Sequence, residues 1–172
     1  MVRDILIYPD KRLQMVSEEV KLFDKELHEL LDDMYETMVA NNGVGLAAIQ
    51  VGIPRRVLII NEPIDEKGSA NQPKSNTLEI INPIFLEEEG TTTYQEGCLS
   101  VPNVYEDVKR FKRVKVEYQD REGHKQIIQS DDFLAIALQH EIEHLNGHVF
   151  IENLSFSKRK KFEKAWRKKH SL

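Results

Sequence analysis

Ser130-Asp131-Asp132-Phe133-Leu134-Ala135-Ile136-Ala137-Leu138-Gln139-His140-Glu141-Ile142-Glu143-His144-Leu145-Asn146-Gly147 reads as a helix with both of its ends marked. Ser130-Asp131-Asp132 supplies capping side chains at the start, and Gly147 supplies the stop. Between them Phe133, Leu134, Ile136, Ala137, Leu138, Ile142 and Leu145 leave almost no polar face, the pattern of a helix buried inside a fold. Strand-like stretches precede it at 56–61, 78–86, 114–118 and 125–129, the last two joined across Gln119-Asp120-Arg121-Glu122-Gly123. Residues 23–40 carry Leu27, Leu30, Leu31, Met34 and Met38 at helical spacing, with Asp24 as cap and Asn41-Asn42-Gly43 as the end. A last helix, about 157–169, has Phe162 and Trp166 four apart as its core-facing stripe. Strands followed by a helix predict an α+β class: mostly antiparallel sheets packed around the central buried helix, with N- and C-terminal helices.

At 172 residues and 40% hydrophobic content the chain fits one domain over 1–172, long enough to bury roughly two thirds of its unfolded surface. No run approaches the ~18 apolar residues of a membrane span, and the N-terminus lacks the apolar stretch of a signal peptide. A cytoplasmic protein without membrane contact is therefore expected. Cys98 is the single cysteine, so no internal disulfide forms, a reducing compartment is expected, and the thiol is free for chemistry. Residues 63–77, rich in Pro, Gly, Ser and Asn, read as a surface loop and not as a divide between domains. The net charge of −5 hides an asymmetry: residues 158–169 hold eight basic side chains and one acid, a local +7 that leaves about −12 for the rest.

His140-Glu141-Ile142-Glu143-His144 is an H-E-x-x-H sequence. Its two histidines lie about 40° apart around the helix and one turn above each other, so both imidazoles can reach one ion. Glu141 falls on the flank, where a carboxylate can hold a water without itself ligating, the placement of a general base. A pair of histidines on an exposed polar stripe is the bland alternative. The apolar surroundings count against it, because burying these imidazoles and carboxylates unpaired would cost several kcal/mol, which a cation offsets. A hydrolytic site of this kind takes a third protein ligand. The metzincin spacing fails, since Phe150 stands where its third histidine would be and His148 is out of register. Glu163 lies at a workable distance for a thermolysin-like endopeptidase, although within the basic tail. Cys98, in Glu96-Gly97-Cys98-Leu99-Ser100, would bind an ion strongly as thiolate, yet a lone cysteine is as readily a small core residue.

Three segments, in order, resemble the signature motifs of the peptide deformylase family: Gly43-Val44-Gly45-Leu46-Ala47-Ala48-Ile49-Gln50, Glu96-Gly97-Cys98-Leu99-Ser100, and Gln139 to Gly147 around the histidines. Ile7-Tyr8-Pro9-Asp10 and the Leu145-Asn146-Gly147 exit are similar too, so the resemblance, to the bacterial-type form, covers nearly all 172 residues. One departure is Glu143, where members usually carry aspartate; the charge is kept and the side chain lengthened, so hydrogen bonds behind the ligands are rearranged. His148 reads as a surface residue.

The resemblance implies hydrolysis of the N-formyl group from the initiator methionine of new polypeptides, with release of formate. It makes Cys98, His140 and His144 the metal ligands, with Fe(II) the expected physiological ion and zinc, nickel or cobalt able to occupy the same S and N set. Glu141 becomes the general base, and the Leu99 N–H and the Gln50 side-chain amide become the donors to the tetrahedral oxygen. Gly43, Val44 and Gly45, with Gly45 foremost, would offer main chain to an extended N-formylmethionyl peptide. Ile136 and Ala137, with Val44, are candidate walls for the methionine side chain, a core role being the alternative for each. Glu96 is expected to pair with a cation such as Arg110 and fix the metal loop.

The basic tail has two readings, a solvated helix face or a footprint for an anionic surface. Some bacterial deformylases are held to dock near the ribosomal exit tunnel through a C-terminal basic helix, and residues 157–169 are similar in charge and position. The ligand expectation is tested by metal content: Cys98→Ala should lose metal and activity together, while Glu163→Ala should retain both. Stoichiometric metal in Cys98→Ala with loss in Glu163→Ala would reverse the assignment.

Overall fold

A computed structural model of the chain describes residues 1–64 and 71–170. Of the surface loop predicted at 63–77, residues 65–70 lie outside the described residues. Among the described residues seven strands and three α-helices follow in the order α1 (Lys25–Ala40), β1 (Gly45–Ala47), β2 (Val57–Ile60), β3 (Leu78–Glu89), β4 (Thr92–Cys98), β5 (Val101–Arg110), β6 (Arg113–Gln119), β7 (Lys125–Ser130), α2 (Phe133–Leu145) and α3 (Phe156–His170). Every strand pair is antiparallel. One sheet has the order β1-β2-β3-β6-β7, and β4-β5 forms a separate two-stranded sheet. The class is α+β with three helices, as expected.

The Val57-Leu58-Ile59-Ile60 run decides how the layers stack. All four residues are buried, so this strand is covered on both faces, and its side chains alternate between them. Val57 and Ile59 pack with Leu27, Leu31, Met34 and Met38 of α1. Leu58 and Ile60 pack instead with Leu138, Ile142 and Leu145 of α2. The five-stranded sheet is thus sandwiched between the two helices. Asp24 caps α1, its carboxylate accepting from the Leu27 N–H at 3.1 Å, a bond contributing about 1 kcal/mol. Asp132 caps α2 and accepts from Phe133 N–H at 2.8 Å. No helix among the described residues is long and apolar enough to cross a membrane.

The β4-β5 hairpin and the short strand β1 were not among the expected strands. Residues 92–110 are mostly polar, and the burial of Val101 and Val108 comes from a third cluster made with Phe150, Ile151, Phe162 and Trp166. Tertiary packing, rather than an apolar pattern of its own, makes this hairpin. Phe162 and Trp166 pin α3 to the body as expected, each also against the Tyr8 ring at 5.9 Å between centroids. Within the predicted loop, Gln72 is turned inward and buried, where its amide donates to the carbonyls of Gly43 and Asn61 at 2.9 and 2.7 Å.

Gly147 has φ +81°, and a methyl group there would collide with the Gln14 carbonyl, which folds back under the exit of α2. Gly147→Ala should therefore destabilise the protein by about 1–3 kcal/mol, measured by urea unfolding. A stability equal to wild type would mean that the N-terminal segment does not hold this position.

Candidate metal centre and active site

α2 carries His140 and His144 one turn apart, their ring centroids 5.1 Å from each other, and the end of β4 brings Cys98 against them. One ligating atom from each of Cys98, His140 and His144 lies within 4.8 Å of the others. The Cys98 Sγ is 3.4 Å from His144 Nε2. A register shift falls between Glu96 and Cys98 in the β4-β5 pairing, after which Cys98 pairs with Val101 at the closed end of the hairpin.

The side of His140 away from this cluster is fixed. Its Nδ1 donates to Glu96 at 2.8 Å, which leaves Nε2 as the free lone pair. Glu96 is in turn gripped by Arg110, whose Nε and Nη2 donate to the two carboxylate oxygens at 2.6 and 2.7 Å. The expected Glu96–Arg110 pair is present, and the bond to His140 extends it. Both of these side chains are almost wholly buried. Burial opposes ionisation of Glu96, but Arg110 and His140 outweigh it and hold the carboxyl below its ordinary range. Glu143 also belongs to this group: its carboxylate accepts from Arg110 Nη1 at 2.5 Å and from Asn153 at 3.0 and 3.1 Å. Its extra methylene spans from α2 to the Phe150–Asn153 turn while keeping the arginine.

Glu141 is buried beside the cluster, one oxygen 3.8 Å from His140 Nε2 and the other without a partner among protein atoms. Burial, with the Glu96 charge adding to it, pushes its pKa up to about 7. His144 is pushed well below its ordinary value by burial and by the charges of His140 and Arg110. His140 moves the other way: burial would lower it, but the Cys98 sulfur and Glu96 more than compensate. An orphaned carboxylate oxygen beside one thiol and two imidazoles fits a divalent cation, which would compete with protons for these lone pairs and satisfy the buried negative charge.

Gln50, 1% exposed, is locked at both ends of its amide. Its oxygen accepts from Ala47 N–H at 2.9 Å, and its nitrogen donates to Ser100 Oγ at 3.0 Å and faces Cys98 Sγ at 3.5 Å. Gly43 and Gly45 are positions of close approach. A Cβ on Gly45 would stand 3.0 Å from a Glu141 oxygen, and one on Gly43 would stand 2.7 Å from the Leu99 side chain.

Gly43, Val44, Gly45, Gln50, Cys98, Leu99, Ile136, Ala137, His140 and Glu141 all border one cavity of about 830 Å³. His144 is completely buried behind it. Of the expected site residues, only the alternative ligand Glu163 is elsewhere: it lies on α3, where Arg159 donates to it at 3.2 Å. His148 is on the surface, 2.8 Å from Glu152. The cavity also takes Ile5 and Ile7 from the N-terminal arm and Tyr94 and Tyr105 from the hairpin. Ile7 falls in a segment similar to the family's, and no pattern in the sequence marks the other three. Gln139 was legible only as part of a motif; its amide bonds both backbone groups of Phe111 at 2.9 Å and ties α2 to the link between β5 and β6.

Comparison with known proteins identifies relatives of the chain. Peptide deformylase of Wolinella succinogenes is 58% identical over 165 residues, covering 96% of this chain and 95% of that protein. The same enzyme of Nautilia profundicola is 53% identical over 167 residues, covering 97% of this chain and 94% of that protein. The crystal structure of peptide deformylase from Ehrlichia chaffeensis in complex with actinonin superposes with a TM-score of 0.87 at 41% identity, covering 99% of each chain. Residues 2–160 match the model of the family described as polypeptide deformylase, and the chain belongs to that family.

Proposed function

We propose that Cys98, His140 and His144 hold one divalent ion, Fe(II) in the cell with zinc, nickel or cobalt able to replace it, and that Glu141 is the general base of the family's reaction. That reaction is hydrolysis of the formyl group from the N-terminal formylmethionine of newly synthesised polypeptides, releasing formate. The observation that carries the reading is the meeting of one sulfur and two nitrogens within 4.8 Å beside a buried carboxylate, at the wall of a cavity open to a sheet edge. A divalent cation held there supplies Lewis acidity toward water and the formyl carbonyl.

The chain's own residues do the rest. Glu141, with a carboxyl that burial keeps near neutrality, removes a proton from the attacking water and returns it to the amine as the C–N bond breaks. The Gln50 amide, held by Ala47 and Ser100, and the Leu99 N–H serve as donors to the oxygen that gains charge. β1 is the terminal strand of its sheet, and its outer edge at Gly45 suits a peptide added as one more strand, with Gly43 and Val44 held in place beside it by bonds from Gln72 and Asn61 to their carbonyls. Such pairing grips main chain without reading sequence. Val44, Ile136 and Ala137 form the apolar lining for the methionine side chain. A cytoplasmic location suits a nascent-chain substrate.

α3 extends the proposal to a partner. Phe162 and Trp166 are buried, whereas Lys160, Lys161, Lys164, Lys168 and Lys169 are exposed, which supports contact with a polyanionic ribosomal surface.

Formyl-Met-Ala-Ser should release formate under anaerobic conditions, while its acetyl analogue and casein are left uncut; appreciable internal cleavage of casein would favour a protease instead. Glu141→Ala should retain metal and lose about 100-fold to 10,000-fold in turnover, and a near-normal rate would reject it as base. Replacing the five exposed lysines with glutamine should leave short-peptide activity unchanged and weaken salt-sensitive co-sedimentation with ribosomes. Equal sedimentation of both proteins at low salt would leave α3 a solubilising face.

A further inference from the structure

The two donors assigned to the oxyanion stand on different sheets. Gln50 lies in the short 3₁₀ helix Ala48–Val51 that follows β1 of the five-stranded sheet, and Leu99 follows the last residue of β4 in the two-stranded sheet. No strand ladder joins the two sheets among the described residues. Oxyanion donors act only when their spacing is held to a fraction of an ångström.

The N-terminal arm crosses this gap. Leu6 N–H donates to the Gln50 carbonyl at 2.7 Å, and Tyr8 N–H donates to the Ser100 carbonyl at 2.8 Å. In extended chain the N–H groups two residues apart point the same way, so residues 6 and 8 make consecutive rungs, one to each side of the gap. Alternate side chains then take opposite faces. Ile5 and Ile7 line the cavity, whereas Tyr8 packs on Phe162 and Trp166 of α3. These backbone rungs join the same two segments that Gln50 Nε2 and Ser100 Oγ join through side chains at 3.0 Å. Upstream, the Arg3 N–H donates to Thr37 at 2.8 Å and its guanidinium pairs with Asp33 at 2.9 Å, so the arm is anchored on α1 before it reaches the site.

We propose that residues 6 and 8 of the arm are positioning residues for the deformylation reaction: their backbone N–H groups set the separation between the Gln50 amide and the Cys98–Leu99 turn. The inference rests on the oxyanion role given to Gln50 above. It assigns the arm a catalytic consequence without contact to the reacting atoms.

The test removes one rung. An ester in place of the amide at position 6, introduced as the α-hydroxy analogue of leucine in the full-length chain, deletes the N–H and keeps the shape. Leu6→Pro does the same by ordinary mutagenesis, and the ester protein decides the matter if the proline variant does not fold. Turnover, KM for formyl-Met-Ala-Ser and metal affinity by chelator competition are measured in the native and Gln50→Ala backgrounds. The expected result is a kcat lowered about 10-fold to 100-fold with KM and metal affinity unchanged, shrinking to less than about twofold when Gln50 is already alanine. Arg3→Ala, which releases only the anchor on Asp33, should leave kcat unchanged. An unchanged kcat in the folded ester protein, or an equal loss in both backgrounds, overturns the proposal. If Gln50→Ala alone keeps the native rate, the oxyanion role itself fails and the arm's role falls with it. A slow Gln50→Ala enzyme beside a fast ester protein rejects the arm alone.

Discussion

His140 is held by an almost wholly buried chain of polar groups: its Nδ1 bonds Glu96, and Glu96 is clamped by Arg110. A buried carboxylate without its guanidinium is worth about 3–5 kcal/mol of destabilisation, so the pair is an obligation the fold must meet before it can place anything else. Meeting it brings the β4-β5 hairpin, which carries both partners, onto the polar side of α2. Cys98 reaches the histidines because the same hairpin delivers it two residues after Glu96. Glu143 then holds the far side of the arginine and itself accepts from Asn153, which joins the turn after α2 to the same group. One ionic assembly thus orients an imidazole, docks a sheet and closes a turn.

The opposite side of α2 works by different physics. Leu138, Ile142 and Leu145 press on the sheet through Leu58 and Ile60, and nothing polar is asked of that face. Rigidity there comes from close packing on both sides of β2, with α1 as the second layer. The site is therefore built at a seam, where a helix braced by apolar contacts meets a hairpin braced by charge. A seam lets groups of opposite demands sit together: Glu141, with an unpartnered oxygen, and the fully paired Glu96 face opposite nitrogens of the same imidazole.

Much of this was legible from residues alone. The apolar surround of His140 and His144 announced α2, and the spacing of Leu27, Leu30, Leu31, Met34 and Met38 announced α1, because both patterns follow from burial at helical period. The hairpin 92–110 was not, since its buried members include Arg110 and Glu96, which composition assigns to the surface, and its apolar contacts come from distant parts of the chain. Cys98 could not be chosen over Glu163 by physical reasoning on the sequence; the choice came from resemblance, and the placement of Glu163 beside Arg159 agrees with it. Gln50 and Leu99 were reached in the same way. The arm offered no period to read, as its order comes from single hydrogen bonds to three other elements. Glu143 could be noticed as a departure, but its reach to Asn153 needed a third dimension.

Gly45 stands where the sheet edge and the Glu141 carboxylate come within one atom of each other. An inhibitor lying along that edge would rest against a wall that the protein redraws only by shifting its own carboxylate, since a Cβ at residue 45 would stand 3.0 Å from a Glu141 oxygen. Escape by substitution at residue 45 therefore disturbs the residue proposed as base, whereas the rim at Tyr94 and Tyr105 is exposed and carries no such coupling to Glu141.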